Sequence, residues 1–145
     1  LNESCTADLM SIKWGVKLLT ILRGAPTFIA KEGLICIVNI LYVNETNVNK
    51  FMDIMKLNTF DVLLASFEKF RMHNDCIRCL LEAFICLFNV GETNNPENMF
   101  VKGFFMKGGE EKLNFVRGIS HPKIEGFIRI MDSAYLEPFS RANFQ

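Results

Sequence analysis

The sequence holds no block of like charge and no apolar run long enough to span a bilayer. Sixteen basic and sixteen acidic residues cancel within 145 positions. Without a basic stripe to neutralise phosphates, nucleic acid is not expected as a partner. An electrostatic hold on a membrane surface is not expected either. The longest apolar stretch, residues 33–43, is broken by Asn39 and falls short of the roughly 20 residues a spanning helix needs. Histidines number only two, and both His73 and His121 fall in expected turns, outside any nucleophile motif. Gly108-Gly109 lacks the further glycine or lysine of a phosphate-binding loop. The carboxylates are scattered at helix-surface spacing. No catalytic residue, enzyme activity or cofactor is therefore expected. The cysteines are five, an odd number: Cys5, Cys36, Cys76, Cys79 and Cys86. Most have apolar neighbours, as reduced core thiols in a reducing compartment do. His73-x-x-Cys76-x-x-Cys79 invites zinc, yet the two cysteines lie one turn apart on an expected helix with no second pair, so no metal is assigned. The sequons Asn2-Glu3-Ser4 and Asn44-Glu45-Thr46 follow no secretory signal and are discounted. No methionine opens the chain, as expected of a piece of a longer protein.

What is present is a helical period. Half of the residues are hydrophobic, fourteen of them phenylalanine, enough to fill a continuous core. Ile77, Leu80, Leu81, Phe84, Leu87 and Phe88 recur at three- and four-residue steps. Ile124, Phe127, Ile128, Met131 and Tyr135 do the same. Each set is the apolar stripe of an amphipathic helix of about four turns. Shorter stripes run through Phe51, Ile54 and Met55, through Phe60, Leu63, Leu64 and Phe67, through Phe100, Val101, Phe104 and Phe105, and through Leu113 and Val116. Trp14, the only tryptophan, shares a stripe with Leu18, Ile21 and Leu22 and is expected in the core.

Turn formers punctuate these stripes. Gly24-Ala25-Pro26 ends one helix and sets proline at the start of the next. Asn94-Asn95-Pro96 breaks the chain. Asn58 and Gly108-Gly109 stand at two sharp corners, where a left-handed residue is expected. His121-Pro122 opens the last long helix. The order short helix, corner, medium helix, turn, long helix runs over residues 48–90 and again over 98–136. Residues 11–22 and 27–43 read as the medium and long helices of an earlier unit. Such units cannot bury their apolar faces alone but share a core when stacked. The expectation is an all-α chain of about three tandem units. They comprise a partial unit at residues 1–46, a second at 47–93, and a terminal unit at 94–145 capped by Lys123, Glu125, Arg129 and Asp132.

The residues also resemble a family. Lys31-Glu32-Gly33-Leu34-Ile35-Cys36-Ile37-Val38-Asn39 is similar to the importin alpha repeat motif Lys-Glu-Ala-Ala-Trp-x-x-x-Asn. Leu80-Leu81-Glu82-Ala83 through Asn89-Val90-Gly91-Glu92 looks like that family's penultimate repeat. Gly108-Gly109-Glu110-Glu111-Lys112-Leu113, followed by His121, Ile124, Met131-Asp132 and Tyr135, is similar to its last one. The resemblance covers residues 11–136. It implies an armadillo-repeat right-handed superhelix whose long helices line a concave groove for an extended basic peptide, the nuclear localisation signal of cargo. In that family, groove asparagines bond the peptide backbone and tryptophans one turn earlier cradle lysine stems.

Carried over position by position, Asn39 matches a groove asparagine and Glu32 a groove acid, while Ile35 stands where the tryptophan belongs. Glu82 and Cys86 take the tryptophan and asparagine positions of the next unit. The implied partners are cargo, importin beta and the export receptor, with shuttling between nucleus and cytoplasm. A structural or regulatory armadillo scaffold without a transport role is the alternative. A repeat fragment also exposes an apolar end face, so a dimer of the isolated chain is a further expectation.

Overall fold

A computed structural model describes residues 12–94 and 97–144, with backbone alone for 12–14. The start of the first helix and the Trp14 side chain, like Cys5, the Asn2 sequon, Asn95 and Pro96, lie outside the described residues. Among the described residues every regular element is helical. The chain runs α1 (Ile12–Gly24), α2 (Thr27–Val43), α3 (Val48–Met55), α4 (Thr59–Lys69), α5 (Asn74–Asn94), α6 (Met99–Met106), α7 (Gly109–Arg117) and α8 (Pro122–Met131). A π turn, Asp132–Leu136, then leads into α9 (Glu137–Phe144).

Local chemistry sets the boundaries. Pro26 precedes α2, and Pro122 occupies the first turn of α8, where its missing amide costs nothing. Asn47 and Asn98 cap α3 and α6, each side chain accepting a bond from the amide three residues on, Lys50 at 3.2 Å and Val101 at 3.3 Å. The left-handed corner expected at Gly108 is present, with φ of 80°. Asn58 departs from expectation. Its φ is −77°, and the turn is closed instead by the buried Thr59 hydroxyl, which donates to the Ile54 carbonyl at 2.8 Å. The left-handed asparagine is Asn98, φ 45°. Its side chain also donates to the Phe88 carbonyl at 2.9 Å, a gain that offsets the backbone cost.

The last helix also runs further than Leu136. Pro138 has no amide to give Ala134, and its ring crowds that carbonyl. The π turn widens the helix at this step, so the chain continues to Phe144 rather than stopping.

Packing repeats along the chain. Helices α1, α4 and α7 pack in succession as one row, and α2, α5 and α8 as a second. The short α3 and α6 sit at the corners, against α4 and against α5 and α7 respectively. The polar ties between successive members share one sequence offset. Lys69 donates to the carbonyls of Arg23 and Ala25, 46 and 44 residues away. Lys107 pairs with Asp61 at 46, Lys31 with Asp75 at 44, and Asn89 with Glu45 at 44. The Cys86 thiol faces the Leu41 carbonyl at 45.

These ties fix register more than stability, since an exposed ion pair contributes about 0–1 kcal/mol. The core does the rest. Leu34, Ile37, Leu41, Phe67, Leu80, Phe84, Phe88 and Phe104 are fully buried. A chain of ring contacts (Phe67 to Phe84 at 5.6 Å, Phe84 to Phe104 at 5.4 Å, Phe88 to Tyr135 at 5.5 Å) binds one unit to the next. The stripes from Phe51 onward point inward, with Met55, Phe60, Phe105, Phe127 and Tyr135 at the margin, whereas in the first stripe Leu22 is buried and Ile21 is exposed.

Candidate functional site

The outward face of the second row carries the chemistry. On α2, Phe28, Glu32, Ile35, Asn39 and Tyr42 fall at four- and three-residue steps and so form one stripe. Glu32 and Asn39 are exposed and Ile35 is half-buried. A lone amide in an apolar helix suggests an inter-helix bond, but Asn39 faces water. Val38 and Ile40 on either side of it turn into the core. The three residues singled out from sequence thus share one surface.

One turn beyond Asn39 the face deepens. A cleft of about 430 Å³ is lined by Tyr42 and Glu45 at the end of α2, Glu82, Ile85, Cys86 and Asn89 of α5, Phe127 of α8, and Tyr135 of the π turn. Glu82 and Cys86, the α5 counterparts of Ile35 and Asn39, both line it; Glu32, Ile35 and Asn39 themselves do not. The lining has two carboxylates, three aromatic rings and no basic side chain.

Hydrogen bonds and packing hold the walls. Asn89 donates to Glu45 at 2.6 Å, tying α5 to the end of α2. Tyr135 packs its ring on Phe88, which is itself fully buried. Asn44, behind Glu45, is buried and donates to the Ile40 carbonyl at 2.9 Å, which closes the α2 terminus. A glycan on Asn44 would not fit the folded chain.

The electrostatics follow from this arrangement. Burial pushes the Cys86 thiol up to about 12, with Glu45 adding to the effect. Burial likewise raises the Tyr135 phenol, with Glu92 and Glu45 contributing. Both groups therefore stay neutral at physiological pH, and the cleft keeps the negative field of its carboxylates. At the other end of the α2–α5 seam, the Lys31 amine is raised by its hydrogen bond to Asp75, whose carboxyl is lowered in return.

Burial also raises Cys76, to about 11, and Cys79. Both are free thiols, Cys76 buried in the core and Cys79 half-buried at its margin. The described residues hold no cluster of three metal-ligating side chains, and no described helix is long and apolar enough to cross a membrane.

Sequence reasoning missed Tyr42, Asn89 and Phe127 as site residues. Tyr42 was within reach, because it follows Asn39 by three positions on the same stripe. Asn89 was also within reach, through the 44-residue offset from Glu45. Phe127 was not, since its spacing is that of a core residue and only the packing of α8 on α5 leaves its edge in the cleft. No family model, curated protein or solved structure matches this chain.

Proposed function

We propose that the chain is part of a nuclear import adaptor of the importin alpha kind, with its helices arranged as armadillo repeats in a right-handed superhelix. The observation that carries this reading is the common offset of 44 to 46 residues between partners in successive helices. Armadillo and related helical units run to about 40–47 residues each. In such an array the α2–α5–α8 face would be the cargo side. Glu32 would attract the cations of a nuclear localisation signal, and the Asn39 amide would bond its extended backbone, at about 0.5–1.5 kcal/mol per bond. Ile35 would pack against a lysine stem. Importin beta and the export receptor would be engaged by the longer protein, which would shuttle between nucleus and cytoplasm. Binding and release would be the whole mechanism, with no chemistry and no cofactor.

Titration of the protein with a basic bipartite signal peptide tests this. Binding that weakens about five- to tenfold in Asn39→Ala supports the role, in line with the loss of one hydrogen bond. Unchanged affinity removes Asn39 from it, and no affinity at all for basic peptides or for the export receptor defeats the transport reading. The second reading, an armadillo scaffold without transport, draws on two features. Ile35 offers no aromatic face to a cation, and the Asn89 amide is already engaged by Glu45.

A further inference from the structure

Helix α9 is fastened to the rest of the chain at one place. None of its eight residues is buried. Its one side-chain hydrogen bond among the described residues, from Asn143 to the Phe139 carbonyl at 2.9 Å, stays within the helix. What reaches outward is aromatic. Phe105 of α6 stacks on Phe139 at 5.2 Å and meets Phe144 edge-on at 5.5 Å, and the two α9 rings lie 6.2 Å apart. A single half-buried ring on α6 therefore anchors the helix.

Clefts flank that anchor. One, of about 430 Å³, is lined by Val101 and Lys102 of α6 opposite Pro138 and Ala142. The other, of about 520 Å³, is lined by Glu110 and Arg117 of α7 opposite Glu137 and Ser140. Water thus reaches both flanks of α9.

The root of the helix is weak as well. In the π turn the Glu137 amide bonds the Asp132 carbonyl, one residue further back than in an α-helix, and Pro138 has no amide to give. Helices bend at such steps. On the near side of the turn, α8 buries Ile124, Ile128 and Met131. An eight-residue helix does not persist unaided in water. Once the rings part, α9 loses its helix, so detachment and unfolding are one event.

We propose that α9 is a strap, closed by the Phe105 ring and hinged at the π turn, which opens as a unit while the rest of the chain stays folded. Opening uncovers Phe105 and joins the two clefts, so this end of the molecule shows an apolar surface in one state and hides it in the other. The device does not depend on the transport reading.

Native-state hydrogen exchange of the whole chain, resolved by residue, tests this. Amides of residues 139–144 should share one level of protection, at least about a hundredfold below that of residues 80–87 in α5. Low concentrations of urea should barely change it, because opening α9 exposes little surface. Phe139→Ala should lower protection in α9 by about a further tenfold, as the loss of a stacked ring predicts, and leave α8 unchanged. Phe105→Ala, distant in sequence, should act in the same way. Phe139→Ala alters the strap alone and so reports even where Phe105→Ala loosens α6. Protection in α9 that equals that of α5, is absent altogether, or falls in a gradient toward Phe144 as a fraying end does, would overturn the proposal. So would a Phe139→Ala variant with no effect on α9, or with its effect spread through α8.

Discussion

At the residue scale, glycines show how closely the helices approach. A Cβ at Gly109 would lie 2.5 Å from the Phe104 ring, and Phe104 is fully buried. Gly109→Ala should therefore cost on the order of 1–3 kcal/mol, measured as a lower urea midpoint. Gly126, in the middle of α8, has open space where its Cβ would go. Gly126→Ala should instead stabilise by about 0.5–1 kcal/mol, because only the helix propensity changes. Opposite signs from the same substitution would check the packing directly.

Cys86 gives the pH counterpart. Its thiol is protonated in the folded chain up to about 12 but ionises near 8.5 when unfolded. Between those values the unfolded state has lost a proton that the folded state keeps. Stability should therefore be intact below about pH 8.5 and fall as pH rises towards 12. Urea midpoints across that range should drop, less steeply in Cys86→Ala, which removes this one titration. The Asp75 carboxyl works at the other end of the scale. Its lowered value contributes stability above the ordinary carboxylate range, lost as pH falls. Exposure at the Lys31 pair keeps that contribution small.

At the element scale, the long helices carry the energy and the short ones carry the direction. Leu80 is fully buried in α5 among the rows on either side. Leu80→Ala should cost roughly 2–5 kcal/mol in equilibrium unfolding; a loss under about 1 kcal/mol would contradict the register of α5. Asn98→Ala should cost about 1 kcal/mol or more, since it removes the α6 cap and the bond to the Phe88 carbonyl together.

Helix type and facing were legible in the sequence because the stripes at Ile77–Phe88 and Ile124–Tyr135 have only one helical solution. Corners were less legible. Both Asn58 and Asn98 suit a left-handed turn, and only the space above Gly91, where the Asn98 side chain sits within 2.1 Å of a would-be Cβ, chooses between them. The continuation past Glu137-Pro138 was hidden for a related reason. Proline reads as a stop, and the π turn that accommodates it leaves no mark on the period.

At the scale of the whole molecule, the site was half legible. Glu32, Ile35 and Asn39, taken from the family resemblance, fall at three- and four-residue steps and share one face of α2. The cleft draws instead on residues of three helices and a π turn, and no single segment announces it. Among the described residues, five of the ten exposed large hydrophobics (Val16, Ile21, Phe28, Ile29 and Tyr42) lie on α1 and α2. Their exposure bears on the expected dimer. Sedimentation of the isolated chain across a concentration series should show self-association that Phe28→Glu reduces; a monomer at the highest concentration would set that expectation aside.

The ties between helices reach forward by one unit of 44 to 46 residues. Among the described residues these ties join neighbouring helices of each row in series. Pulled from its termini, the molecule should yield link by link from an end. Each release would free about 45 residues and lengthen the chain by roughly 150 Å, at 3.3–3.6 Å per extended residue.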